Sequence, residues 1–227
     1  DPAVLWFFSG LLREAGASVL QARDGAEALE LARRKRPQLV VSDILMPKMD
    51  GFALCRELRR DVLLTRVPVV LLTWKDDQLA RASGGDAGPN AYLRKEAGGG
   101  EALSVLAAAL APRQQLVAAL IDPGAIAGTV EELGIASVLD CVAEARPNAR
   151  LRVEDSSRLF EVDIRDGQRV SVTKTASDGS FTRGERALSQ LLGVKSGSFS
   201  VLTQSGSLRS PLPEALPRAL QSAGKEL

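Results

Sequence analysis

Apolar positions in the first half of the chain alternate between helical and strand spacing. Residues 4–15 carry apolar side chains at helical spacing and end at Gly16, which predicts a helix with a glycine stop. A short strand is predicted over 18–22. A second helix follows Asp24 and Gly25, with Ala28, Leu29, Leu31 and Ala32 inward and basic residues 33–36 at the end that favours cations. The apolar runs 39–41 and 67–72 have the character of strands buried on both faces of a parallel sheet. A helix over 51–60 lies between them, and a loop from Thr73 leads to a glycine-broken helix over 77–83. Residues 92–94 predict a last strand and 101–111 a last helix. Strands alternating with helices predict a parallel α/β sheet.

The pattern changes after Pro112. Residues 112–125 predict a linker, 126–130 a short lead-in and 133–143 a helix. Residues 150–154, 159–165 and 168–173 alternate as strands, the last two joined by Asp166-Gly167, a hairpin signal. A helix over 184–192 and a strand over 198–202 complete an α+β unit built on an antiparallel meander. From 204 to 227 the chain is rich in Ser, Pro and Gly and predicts a flexible tail, with a helix near 213–223.

Composition narrows the chemistry. The 227 residues suffice for two domains, and the balance of 45% hydrophobic and 25% charged residues is that of a globular protein. The net charge of +1 provides no general attraction for nucleic acid or anionic lipid. No apolar run predicts a membrane span or an export signal, and cytoplasmic residence is expected. Histidine is absent, which removes Ser-His-Asp and Cys-His catalysis and any phosphohistidine relay within the chain. Cys55 and Cys141 have no metal-ligand spacing and suit small buried hydrophobes in a reducing compartment.

Asp43 follows an apolar strand and precedes Met46-Pro47 and Asp50-Gly51. It therefore sits at the carboxyl end of a parallel strand, where open α/β sheets place their ligands. Thr73 ends the next strand and Lys95 follows the last one. In this joint spacing residues 1–111 resemble the receiver domains of bacterial two-component systems. The resemblance implies a flavodoxin-like fold with strand order 2-1-3-4-5. It implies Asp43 as phosphoacceptor nucleophile, with Thr73 and Lys95 on the oxygens of the transferred group. It also implies Tyr92 as an aromatic switch and a histidine kinase or other phosphodonor as partner. The family's Mg²⁺ is held by an acidic pair ending the first strand, by the acceptor, here Asp43, and by a backbone carbonyl, here that of Leu45. Aligned this way, Asp1 falls just after that pair, so the first strand and the acidic pair are expected to lie outside the chain.

Three residues depart from the pattern. Trp74 stands where the family keeps a small residue, Glu96 where a proline usually fixes the backbone, and Leu45 offers no polar side chain. They suggest a degenerate receiver, with phosphoryl acceptance at Asp43 conditional on a complete Mg²⁺ site.

In the second half, Gly128-Thr129-Val130, the helix beginning at Leu133, the strand at Ala149, the hairpin around Gly167, Gly184 to Leu188, and Gly197 to Val201 occur in an order that resembles the PATAN domain. Residues 126–203 are then expected to form a protein–protein interaction module without catalytic residues. No phosphate-cradling glycine loop or nucleophile elbow follows residue 112, so no enzymatic output is expected. The alternative is a DNA-binding transcriptional regulator. From residue 112 onward, however, fourteen lysines and arginines face fourteen carboxylates, so no basic footprint is present.

Overall fold

The computed structural model describes residues 2–74, 88–121, 126–167 and 169–203, and the chain divides into two compact units, Asp1–Ala111 and Pro112–Leu227. The helices expected over 77–83 and 213–223 lie outside the described residues.

In unit 1, α1 (Pro2–Glu14) ends as predicted: Ala17 N–H bonds the Leu12 carbonyl and Gly16 N–H that of Arg13, with Gly16 at φ 84°. Helix α2 (Gly25–Lys35) is capped by Asp24, whose side chain accepts from the Glu27 N–H. Strands β1 (Val40–Asp43), β2 (Val69–Thr73) and β3 (Ala91–Arg94) pair in parallel in the order β1-β2-β3, with α3 (Gly51–Arg60) between the first two. Every residue of β2 is buried. The two-residue strand period sends Val69 and Leu71 into a core with Leu29, Leu54, Cys55 and Leu58. It sends Val70 and Leu72 to the opposite face, with Phe8, Leu93, Ala102 and Leu106. Arg59, at the end of α3, donates to the carbonyls of Thr65 and Val67 and to Asn90 Oδ1, fixing the approaches to β2 and β3 together.

The strand expected over 18–22 joins no ladder among the described residues, and Leu20 there is half exposed. A parallel strand is held by its neighbours, and the three-stranded order offers this segment none.

The helix predicted to end at 111 and the linker predicted from 112 are instead one element, α4 (Gly99–Ile121), running through Pro112. An interior proline costs about 3 kcal/mol. Packing offsets it: Leu116 and Leu120 are buried, and Arg113 reaches Glu144 at 2.6 Å and Cys141 Sγ at 3.1 Å. By length and composition α4 could cross a bilayer. Ala102 and Leu106 pack in the core of unit 1, Leu116 and Leu120 are buried in unit 2, and Ile121 is exposed.

Unit 2 holds β4 (Ile126–Thr129), α5 (Gly134–Ala145), β5 (Ala149–Glu154), β6 (Arg158–Arg165), β7 (Arg169–Ala176), β8 (Phe181–Arg183), α6 (Glu185–Leu192) and β9 (Ser198–Thr203). The sheet order is β4-β9-β5-β6-β7-β8, every pair antiparallel. Strands β5 to β7 form the expected antiparallel run, which β8 extends, while β9 inserts between β4 and β5. Asp166 and Gly167 take φ 55° and 63°, as a type I′ hairpin turn requires. Residues 177–180 make a turn, and the three residues after it pair as β8, a strand too short to show an alternation of its own. Helix α5 lies on β5, and α6 on β7 and β8, which buries Val138, Leu139, Leu188 and Leu191 with Leu151, Phe160 and Val162. Both cysteines are buried and neither is in a disulfide, and burial pushes the Cys141 thiol up to about 11.

Candidate functional site

Three adjacent strand ends build the site. Asp43 closes β1, Thr73 closes β2, and Lys95 directly follows β3. Parallel pairing, with Asp43 opposite Leu72 and Thr73 opposite Arg94, brings all three to the same edge of the sheet. The Lys95 N–H donates to the Thr73 carbonyl at 2.8 Å, so the backbone that carries the lysine is locked to β2. The ammonium of Lys95 then pairs with Asp43 Oδ2, while the Leu45 N–H donates to Asp43 Oδ1 at 3.2 Å. The two charged side chains are 4% and 14% exposed, which makes this a shielded ion pair rather than a solvated one.

The loop after β1 is shaped by close backbone approach. The Gly51 N–H donates to the Ile44 carbonyl at 2.8 Å, and a Cβ on Gly51 would stand 2.4 Å from the Asp43 carbonyl oxygen. Only glycine lets α3 begin this near the end of β1. Thr73 is buried at its strand end. Tyr92 lies opposite Leu71 and packs on the core beneath α2 and α3, and burial raises its phenol above the ordinary value. Leu45 is exposed, and so is Glu96. The Trp74 ring is half exposed and its centroid lies 5.0 Å from the Lys95 ammonium.

A second pair escaped the sequence reading. Asp24, read there only as a helix start, is bonded by Lys48 at 2.6 Å across 24 residues, with Lys48 in the left-handed region at φ 61°. Beside it, a Cβ on Gly25 would meet the Met49 carbonyl oxygen at 2.4 Å. The loop after β1 is thus latched onto the start of α2. No local pattern announces a pair this far apart. The hydrogen bond from Lys48, followed by that from the Glu27 N–H, holds the Asp24 carboxyl below 3.8, and the same pair holds Lys48 above 10.5. A depressed acid contributes stability above its unfolded value and loses it as pH falls through the folded value; a raised base contributes below its unfolded value. The latch is therefore complete across neutral pH. Asp24→Asn is expected to lower stability near pH 7, and the deficit should close as pH falls below 3.8. Urea unfolding of both proteins over that range checks it, and a deficit unchanged at about pH 2 would exclude the charge as its cause.

The Mg²⁺ implied by the family resemblance calls for near-octahedral oxygen ligation, usually with several waters and more than one anionic ligand near it. Among the described residues no three His, Cys, Asp or Glu side chains cluster, and the strand end offers the Asp43 carboxylate, with Leu45 two residues on. These residues do not by themselves fit the ion.

The open parallel sheet with a shielded Asp–Lys pair at its carboxyl edge defines an α/β domain of the receiver class. A family model for the response regulator receiver domain matches residues 1–107. Protein PilH of Pseudomonas aeruginosa is 33% identical over 95 residues, which is 42% of this chain and 78% of PilH. The chain belongs to the response regulator receiver family of two-component signalling. The alkaline phosphatase synthesis transcriptional regulatory protein PhoP of Bacillus subtilis is 37% identical over 84 residues, 37% of this chain but only 34% of PhoP. The solved chemotaxis protein CheY4 of Vibrio cholerae is 28% identical and aligns over 48% of this chain and 92% of its own, at a TM-score of 0.47.

Proposed function

We propose that this protein is a response regulator whose receiver takes a phosphoryl group at Asp43 and thereby controls how its second unit meets a protein partner. The observation that carries the proposal is the Asp43–Lys95 pair at the carboxyl edge of the sheet. An Asp43 oxygen attacks phosphorus, the donor's bond to phosphorus breaks, and the leaving group departs with the electron pair. Lys95 would then hold one anionic phosphoryl oxygen and the Thr73 hydroxyl, at the neighbouring strand end, another. Tyr92 would respond to that engagement from β3. The donor is a histidine kinase or a small phosphorylated metabolite. Mg²⁺ belongs to this reading only where acidic ligands beyond the described residues complete its shell.

For residues 126–203 we propose a PATAN-type interaction module that binds rather than catalyses. The order strand, helix, strand, hairpin, helix, strand supports it. A transcriptional output is the second reading, favoured by the match to PhoP. The balance of charge after residue 112 argues against it, and salt-dependent retardation of duplex DNA would establish it. A cytoplasmic location fits either output.

The test is radiolabelling of the full chain by a small phosphodonor with Mg²⁺ present. Wild type is expected to take up alkali-labile label and Asp43→Asn none. Unlabelled wild type, or equal label on both proteins, rejects phosphoryl acceptance at Asp43.

A further inference from the structure

The Lys95 side chain is 4% exposed, although a phosphoacceptor site at Asp43 must open to a phosphodonor. One cover is the Asp43 carboxylate, and the other is the indole of Trp74 at 5.0 Å. Trp74 directly follows Thr73, whose carbonyl accepts the Lys95 N–H at 2.8 Å, so neighbouring strand ends carry the ring and the ammonium and keep them together. The ring itself is 53% exposed. It lies on the ammonium with half its surface in water, the arrangement of a flap rather than of a core residue.

We propose that Trp74 is the cap of the Asp43 site, resting on Lys95 when the site is closed and moving aside before a phosphoryl group takes the ammonium. This rests on Asp43 being the acceptor. With N-protonated phosphoramidate as donor, an Asp43 oxygen bonds to phosphorus as the P–N bond breaks, and neutral ammonia leaves with the electron pair. Water later cleaves the acyl phosphate to orthophosphate and the free carboxylate. The cap stands in the way of both reactants. It slows the donor's entry because the cation–π contact must first be lost, and it slows hydrolysis because it returns over the acyl phosphate and keeps water out. Loading and hydrolysis therefore change together, while the steady level of label at fixed donor concentration stays nearly constant.

The experiment uses the full chain with Trp6→Phe, which leaves Trp74 as the remaining tryptophan of two. Trp74→Ala is expected to load from phosphoramidate and to hydrolyse about fivefold faster, the factor a cation–π contact at a partly exposed site supports. Trp74→Phe, which keeps a ring on the ammonium, should stay within about twofold of the parent. Lys95→Met is expected to shift the Trp74 emission to the red and to increase its quenching by acrylamide. Equal rates in parent and Trp74→Ala overturn the cap while leaving Asp43 as acceptor, and so does an emission indifferent to Lys95→Met. Absence of label on every variant, with the emission still responding to Lys95→Met, rejects the acceptor reading and the cap's gating role with it.

Discussion

Gly51→Ala is expected to lower the stability of unit 1 by about 3 kcal/mol, the upper end of the usual range for overpacking. The added Cβ would lie 2.4 Å from the Asp43 carbonyl oxygen, 3.2 Å from its carbon and 3.0 Å from Leu71 Cδ2. A flexible side chain could swing away from such a contact, but two of these three atoms are backbone. Relief therefore requires α3 and the end of β1 to separate, which stretches the Gly51–Ile44 hydrogen bond and moves Asp43 relative to Lys95. Stability and labelling of Asp43 should fall together. Gly10→Ala is the control: no atom lies within 4 Å of its Cβ, and alanine in an α-helix is favoured by up to about 1 kcal/mol. Urea unfolding monitored by circular dichroism, with phosphoramidate labelling, measures both effects. A Gly51→Ala protein as stable as wild type would mean that the loop yields where the backbone contacts say it cannot.

Phe160→Ala should weaken unit 2 by about 3–5 kcal/mol, the range for removing a buried aromatic ring. Phe160 is the largest of the fully buried side chains among the described residues, and it stands on β6 opposite Val153 and Lys174. Its neighbours Leu151, Val153 and Val162 are themselves at 0% exposure and sit on strands held on both sides, so little can collapse into the space. Amide hydrogen exchange locates the loss: protection should drop in β5, β6 and β7 and persist in β1 and β2. A drop spread evenly over both units would show that the two cores do not report separately.

Much of unit 1 was legible because its signals are local. The glycine stop at Gly16, the cap at Asp24 and the helix over 51–60 each depend on a few neighbouring residues, and each formed where expected. The same holds for Asp166-Gly167, where the need for two left-handed residues in succession leaves few other turns. Pro112 shows the opposite case. Read locally, a proline after an alanine-rich helix marks an end. The helix continues because Arg113, Leu116 and Leu120 find partners in unit 2, and nothing within ten residues announces them. Residues 18–22 failed in the reverse sense, since strand propensity does not supply a strand neighbour.

For the site, the sequence by itself determined which residues stand at the strand ends: Asp43, Thr73 and Lys95 are set by periodicity and by the intervals between them. Those intervals count residues along the chain, and parallel pairing converts them into proximity. Only the tertiary structure decided what surrounds Asp43. It laid Trp74 on the Lys95 ammonium, latched Asp24 to Lys48 and made Gly51 indispensable to the approach of α3. These are contacts between segments distant in the chain, fixed by how sheet and helices pack rather than by any local preference. The physical reason is that burial, ion pairing and close backbone approach depend on three-dimensional distance, which a linear pattern carries only where a regular element spans the gap.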